Sequence, residues 1–227
     1  MSYYRYELRT LCRRRLGDLT VPFQFSDEQL NQWINDAIAD YSLHFPRVQS
    51  TSIACVADDR MYDLPSNCLA ILSLEYPTGE DPPEYLYQRE YTHPDFWQED
   101  GYYAFIQTSQ DNDYPELWIS EKPSSGETIT VIYHATHDFL DDDDSDLNTV
   151  PESHLELVIL FVRWAAFQSL SSVENASPDN RTSTSSTLEL NASRAEGVYR
   201  KMLQEIKEAG STSAAANWRM DRYDRIY

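Results

Sequence analysis

The spacing of apolar residues changes twice along this chain of 227 residues. Apolar positions recur every three or four residues up to about residue 48, alternate every second residue to about residue 137, and then return to the first spacing. A helix buries a stripe of period 3.6, whereas a strand buries a face of period 2. The sequence therefore predicts an α+β fold: a four-helix bundle from residues 1–48 and 138–209, with a small antiparallel β-sandwich or barrel domain inserted at 49–137.

The second predicted helix has a complete start signal. Ser26 and Gln29 have the spacing of a capping box, and Phe25 and Leu30 occupy the two positions of a hydrophobic staple. Pro46 marks the end of the helix. The predicted buried face consists of Leu30, Trp33, Ile34, Ala37, Ile38, Tyr41 and Phe45.

Three further helices and five strands are predicted. The first helix spans about 3–16 and is ended by Gly17. The third, about 155–170, is apolar nearly all round, which is typical of a central buried helix. The fourth begins with Ser186 as its cap and ends near 209. The predicted strands are 51–57, 69–76, 102–107, 116–120 and 128–133.

The formal net charge of −20 is unevenly distributed. Residues 1–15 carry a net charge of +4, residues 217–227 carry +1, and the 201 residues between them carry −25. Nucleic-acid-binding domains present a basic patch to phosphate groups. An acidic body with a basic first helix argues against a plain nucleic-acid binder.

Two charged clusters are candidate surface sites. Arg13, Arg14 and Arg15 end the first helix, where they complement its dipole. They can contact phosphate or pair with the acidic body of a neighbouring copy, and we favour the inter-subunit contact. The acidic run between the last strand and the third helix is interpreted as a solvated connector. Its candidates for an acidic surface are Asp138, Asp141, Asp142, Asp143, Asp144 and Asp146.

Catalytic, metal and membrane signatures are not found in the sequence. None of the nucleophile-elbow, zinc-protease, phosphate-loop or dinucleotide motifs occurs. His134 and His137 lie three apart at the end of a strand, so they point to opposite faces, and no metal or cofactor is expected. The three cysteines are expected to be free buried thiols in a reducing compartment. The densest apolar run, Leu157 to Val162, is too short to span a membrane.

The last residues have the composition of a binding segment. Gly210 to Ala216 is predicted to be a flexible linker, and residues 217–227 follow it as an extended tail. Tryptophan, tyrosine and arginine are enriched at interface hot spots. A frayed terminus or packing on a neighbouring copy are the alternatives. The candidate contact residues are Trp218, Arg219, Arg222, Tyr223, Arg225, Ile226 and Tyr227.

The order of several short segments resembles a known family. These segments are Leu8-Arg9, Gly17-Asp18, Phe25 to Leu30, Trp33 to Ile38, Phe45-Pro46, Tyr62 to Pro65, Leu117 to Ile119 with Pro123, Gly126 to Tyr133, Asp138 to Leu140 and Val150-Pro151. An apolar helix and a final helix rich in alanine and arginine close the series. The chain resembles the head-to-tail adaptor (connector) proteins of tailed bacteriophages, especially those with a β-domain within a helical bundle.

The resemblance implies a structural virion protein rather than an enzyme. It implies a ring, usually of twelve copies, that lies below the portal protein, extends the DNA channel and offers a platform to tail or nozzle proteins. In such proteins the C-terminal segment commonly reaches into the portal ring, which gives residues 217–227 a partner. The acidic body fits a channel wall along which genomic DNA slides without specific binding. The channel-lining candidates are the aspartates of the acidic connector, Asp138, Asp141, Asp142, Asp143, Asp144 and Asp146. Synthesis in the cytoplasm of the bacterial host is also implied.

Two other functions stay open at this stage. One is a neck or tail-completion ring that does not contact the portal. The other is a virion-associated hydrolase that acts on the cell wall, since the many acidic residues could include a catalytic pair.

Overall fold

The computed structural model describes residues 3–107, 114–144, 148–176 and 183–221. Within these ranges it confirms the α+β class, with four helices and two sheets. Two compact units divide the chain between Tyr41 and Ser42 and again between His137 and Asp138. We call residues 42–137 the β-unit and the remainder the helical unit. The elements are α1 (Arg5–Leu16), α2 (Asp27–His44), β1 (Arg47–Ala54), β2 (Met61–Asp63), β3 (Cys68–Glu75), β4 (Tyr87–Gln88), β5 (Tyr102–Ile106), β6 (Glu116–Ile119), β7 (Thr128–Ala135), a 3-10 turn (Glu152–His154), α3 (Leu155–Ala176) and α4 (Ser183–Asp221).

The start of α2 confirms the predicted capping box. The backbone N–H of Gln29 donates to Oγ of Ser26 over 3.1 Å, and the backbone N–H of Ser26 donates to Oε1 of Gln29 over 3.0 Å. Phe25 and Leu30, at the two staple positions, are both buried. Two backbone donors that the first turn leaves unpaired are thus satisfied, and the helix begins where its side chains specify.

The predicted face of α2 is buried at most of its positions. Leu30, Ile34, Ala37, Ile38 and Tyr41 are all buried. Trp33 and Phe45 are only partly buried, so the prediction was too strong for these two. The ring of Trp33 lies edge-on to Phe25 at 5.3 Å and lines an open groove of about 360 Å³ with side chains of α3.

Tyr199 of α4 links three helices of the helical unit. Its ring lies edge-on to Phe161 of α3 at 5.6 Å and stacks on Trp164 at 6.3 Å. Its hydroxyl donates a hydrogen bond to the carboxylate of Asp40 in α2. Burial raises the pKa of Tyr199, and the neighbouring Asp40 carboxylate raises it further, so the hydroxyl keeps its proton. The arrangement of all four helices as one bundle stays a prediction.

The segment Glu152–Val173, which comprises the 3-10 turn and most of α3, is long and apolar enough to cross a membrane by length and composition alone. A core helix meets the same criterion. Leu157, Val158, Val162 and Ala166 are buried within the protein, which accounts for much of the apolar character. Burial is concentrated in the first half of α3, and only 39% of its most apolar window is buried, so the helix is less completely buried than predicted.

The last helix is much longer than the sequence predicts. It runs from Ser183 to Asp221, so residues 210–216 are helical rather than a flexible linker, and the extended tail is wrong as far as residue 221. Alanine has the highest helix propensity, and adding residues to an existing helix avoids the cost of nucleation. Gly210 opposes this by only about 1 kcal/mol. Residues 222–227 lie outside the described residues.

The β-unit contains two sheets. The first has the strand order β1-β7-β3 and the second β2-β6-β5-β4. All pairs are antiparallel except the two-residue pair of β4 and β5, which is parallel and corrects the fully antiparallel prediction. Both sheets contribute to one hydrophobic core, which includes Leu74 and Val131 from the first sheet and Leu117 and Ile119 from the second. The description as a sandwich or barrel stays a prediction.

The segment 80–100 packs on the second sheet through aromatic rings. Tyr91 and Trp97 lie 5.0 and 6.0 Å from the ring of Trp118 in β6, and Phe96 is completely buried. The aromatic residues of this segment therefore help to hold a long connection in place, while its backbone pairs with neighbouring strands between residues 84 and 89.

Candidate functional site

The first two arginines of α1 bind the acidic connector. Nε of Arg5 lies 2.7 Å from Oδ1 of Asp143, and its Nη1 donates to the carbonyl oxygen of Leu140 over 2.8 Å. Nη2 of Arg9 lies 2.8 Å from Oδ2 of Asp143. Hydrogen bonds from Arg9 and then Arg5 lower the pKa of Asp143 to about 2. Asp143 is therefore ionised at neutral pH and fixes the connector to α1.

Arg13 is buried and bound within its own chain. Nη1 donates to Oδ2 of Asp18, and Nη2 donates to the carbonyl oxygen of Phe25 over 3.0 Å and to Oδ1 of Asp27 over 2.6 Å. Oδ1 of Asp18 in turn accepts the backbone N–H of Gln24 over 2.8 Å. A buried side chain that binds these three partners is not available for contact with a neighbouring copy. The prediction of an inter-subunit contact is therefore corrected for Arg13. Its side chain instead joins the end of α1 to the residues that lead into α2.

The other two residues of the arginine run lie at the surface. Arg14 is exposed. Arg15 is exposed as well, and its Nη2 lies 2.9 Å from Oε2 of Glu156 at the start of α3. An inter-subunit role stays a prediction for Arg14 and Arg15.

The acidic candidates do not share one environment. Asp138, Asp141, Asp142 and Asp144 are exposed, as a solvated connector requires. Asp143 differs, because two arginines neutralise it. It is therefore an anchor rather than a candidate for an acidic channel wall. Asp146 lies outside the described residues.

The C-terminal candidates are only partly placed. Trp218 and Arg219 lie on the last turns of α4. The remaining candidates lie outside the described residues, namely Arg222, Tyr223, Arg225, Ile226 and Tyr227. The structure therefore presents the first part of this segment on a helix that continues from the helical unit.

The histidines and cysteines make structural contacts. Nε2 of His137 lies 3.0 Å from the carbonyl oxygen of Phe45, and its backbone N–H donates to Oγ of Ser42 over 2.9 Å. All three cysteines are free and buried, and burial raises the pKa of Cys12 to about 12, so that thiol stays protonated. Within the described ranges, no group of three or more His, Cys, Asp or Glu residues could hold a metal ion.

Sequence reasoning missed the residues that tie the connector and the first loop to α1. Arg5 and Arg9 bind Asp143, and Asp18 binds Arg13. One signal was available for Arg5, Arg9 and Arg13: they recur every four residues and so lie along one face of α1. Their acidic partners lie up to 138 residues away, which no local pattern reveals.

A comparison with protein families places the chain directly. The family model of the SU10 adaptor protein matches residues 4–223, which is nearly the whole sequence. A comparison with curated proteins gave no match. Members of this family are head-to-tail adaptors of bacteriophages, which are structural components of the virion at the junction of head and tail. The chain therefore belongs to the SU10 adaptor protein family, as the order of its segments indicates.

Proposed function

We propose that this protein forms the adaptor ring below the portal of a tailed phage, with twelve copies that extend the DNA channel and carry the tail or nozzle proteins. The family match over residues 4–223 carries this proposal. Adaptors of this family are expected to interact with portal and tail proteins. Each copy presents an acidic surface to the genome and a C-terminal helix to the portal.

The internal pairing of the arginines supports a non-binding DNA channel. Arg5, Arg9, Arg13 and Arg15 of the basic first helix each lie within 3 Å of a carboxylate oxygen of their own chain. Their charges are largely neutralised before any phosphate group approaches. The surface therefore keeps the acidic excess of the body. Each contact between a basic side chain and a phosphate would add affinity for DNA and slow its sliding, and a surface without such contacts avoids this.

The helical course of α4 supports a specific form of portal contact. Residues 210–216 continue the helix, so Trp218 and Arg219 are presented on a regular backbone instead of a flexible chain. Pre-ordering of a binding segment reduces the entropy that is lost on association. We assign the contact with the portal to residues 217–227, with Trp218 and the tyrosines as apolar anchors and the arginines as partners of acidic groups.

The test is co-sedimentation of the purified full chain with the portal ring from the same genome. A triple Arg219→Ala, Arg222→Ala, Arg225→Ala variant should lose binding by tenfold or more, since removal of each buried charge pair costs about 2 kcal/mol or more. The matched control is Arg194→Ala, Arg200→Ala, Lys201→Ala, which removes the same charge from exposed positions earlier on α4. Equal portal binding by both triple variants would overturn the assignment of the contact.

A further inference from the structure

The outer edge of β1 is open. β1 pairs with β7 over eight consecutive residues, from Arg47 opposite Ala135 to Ala54 opposite Thr128, with no shift of register. β1 is the terminal strand of its sheet, and no described strand pairs with its other side. A long, regular edge strand offers unpaired backbone groups to another chain.

The other three edges of the described sheets are protected. β3, at the opposite edge of the same sheet, has two register shifts, and the segment 84–86 covers its C-terminal end at Leu74 and Glu75. There the backbone N–H of Leu86 donates to the carbonyl oxygen of Leu74, and the backbone N–H of Tyr76 donates to the carbonyl oxygen of Glu84, each over 3.0 Å. The edge strands of the second sheet, β2 and β4, are only three and two residues long. Irregularity, cover and shortness are the usual protections of an edge, and β1 has none of them.

The direction of the free backbone groups follows from one hydrogen bond. The backbone N–H of Cys55 donates to the carbonyl oxygen of Glu127, just beyond the last pair of the ladder, over 2.9 Å. In an unbroken antiparallel ladder, alternate residues bond to the same neighbour. The odd-numbered residues of β1 therefore bond to β7. The residues that direct their N–H and C=O groups to the open edge are Val48, Ser50, Ser52 and Ala54, all of which are exposed.

We infer that this edge binds an extended segment of a different polypeptide, which adds a strand beside β1. Backbone hydrogen bonds would supply the affinity, as in other cases of strand addition. The inference concerns the β-unit and does not depend on the ring or on portal binding.

The net charge of the β-unit indicates which kind of polypeptide binds beside β1. The β-unit contains four basic and sixteen acidic residues, which gives a net charge of −12, while β1 itself carries only Arg47. A second copy would bring another unit of charge −12 to the same edge, and like charges oppose association. The fitting segment is neutral along the paired residues and basic beside them.

The probe for this edge is a peptide with nine alternating threonine and valine residues, to which two lysines are added at each end. In the full chain without peptide, amide exchange followed by NMR should be fast at Val48, Ser50 and Ser52 and slow at Thr51 and Ile53. The peptide should slow exchange at the first three positions. If those three amides are already slow in dilute protein alone, the edge is not open and the inference fails.

Paired variants separate edge binding from folding. Ser50→Pro with Ser52→Pro removes two outward N–H groups that make no bond to β7, a position that proline tolerates. This variant should keep the melting temperature and lose peptide binding at least tenfold, whereas Ser50→Ala with Ser52→Ala should keep both. Unchanged binding by the proline variant would overturn the inference.

Two measurements on the unmodified chain complete the test. A peptide with glutamates in place of the lysines should bind about tenfold more weakly at low salt, and the difference should shrink at high salt. Equal binding of the two peptides at low salt would contradict the basic occupant. Slow exchange at the outward amides that appears only at high protein concentration, without peptide, would identify a second copy as the occupant and overturn the assignment to a different polypeptide.

Discussion

Arg13 and Asp18 form a buried ion pair, with Nη1 of the arginine 2.5 Å from Oδ2 of the aspartate and side chains that are 9% and 4% exposed. Asp18 also accepts the backbone N–H groups of Gln24 and Phe25. One carboxylate thus fixes the end of α1 and the chain that leads into α2. Residues 19–24 between the two helices are exposed. The bonds of Asp18 to Arg13, Gln24 and Phe25 therefore position the capping box that begins α2.

Replacement of Asp18 by alanine should strongly destabilise the fold. The substitution leaves Arg13 buried with less negative charge and leaves two backbone donors without their acceptor, so we expect a loss of about 3–5 kcal/mol in the free energy of unfolding. Urea unfolding measures this loss. Asp100→Ala is the control, because that side chain is exposed and its replacement should change stability by less than about 0.5 kcal/mol. Similar losses in the two variants would show that the buried pair is not important.

Asp143 should make stability depend on pH in the acidic range. Its folded pKa of about 2 is below the unfolded value of about 3.9, so the ionised form favours the folded state. The contribution is complete above about pH 4 and is lost as the pH falls to about 2. Asp143→Asn should cost about 1 kcal/mol at pH 7, a value reduced for solvent screening of a carboxylate that is 36% exposed.

Unfolding of the Asp143→Asn variant and the unmodified protein should be compared from pH 7 to pH 2. The difference between them should narrow below pH 4, because the unmodified side chain becomes neutral as well. Asp144→Asn is the control for the neighbouring exposed carboxylate. A difference that stays constant down to pH 2 would contradict the role given to the two arginines.

The continuous helix of α4 makes a prediction about Gly210. Gly210→Ala should stabilise the helix by up to about 1 kcal/mol, and Gly210→Pro should interrupt it. Circular dichroism at 222 nm should show an unchanged helical signal for the alanine variant and a loss of helix for the proline variant. Gly197→Ala is the matched control, since Gly197 lies earlier on α4 and an added methyl group there meets no atom within 4 Å. If Gly210→Pro leaves the helical signal unchanged, residues beyond 210 are not helical in solution.

The acidic body should not retain DNA. At about 50 mM salt, gel retardation of a short duplex should show binding weaker than about 10⁻⁴ M, the weak end of ordinary non-specific affinity. Bovine serum albumin, another acidic protein, serves as the negative reference and a basic DNA-binding domain as the positive one. Micromolar binding that falls steeply with salt would contradict the proposed channel wall.

Much of the fold could be predicted because its signals are local. The capping box of Ser26 and Gln29, the apolar face of α2 and the change of period all lie within short windows of sequence. The short strands β2 and β4 were missed because two or three residues show no period. The start of β1 at Arg47 was also missed, since the strand follows the end of α2 after only two residues.

The candidate site is less predictable from the sequence for two reasons. Some of its contacts join residues far apart in the chain, and in other segments the composition suggests a different structure from the one observed. Asp143 was grouped with its acidic neighbours, although two arginines more than 130 residues away distinguish it. The position of Arg13 in a run of three arginines at the end of α1 predicts an inter-subunit contact, yet Arg13 binds Asp18 and Asp27 of its own chain. The residues 210–216 were interpreted as a linker from their serine, threonine and glycine, yet the three alanines and the preceding helix favour continued helix.

Native mass spectrometry of the portal ring from the same genome, mixed with the purified chain, tests the central claim most directly. The account predicts a complex whose mass exceeds that of the portal by twelve chains of 26.4 kDa. It also predicts that a chain ending at residue 216 gives no such complex while its melting temperature is unchanged. A portal ring that keeps its own mass in the presence of excess full-length chain would contradict the account.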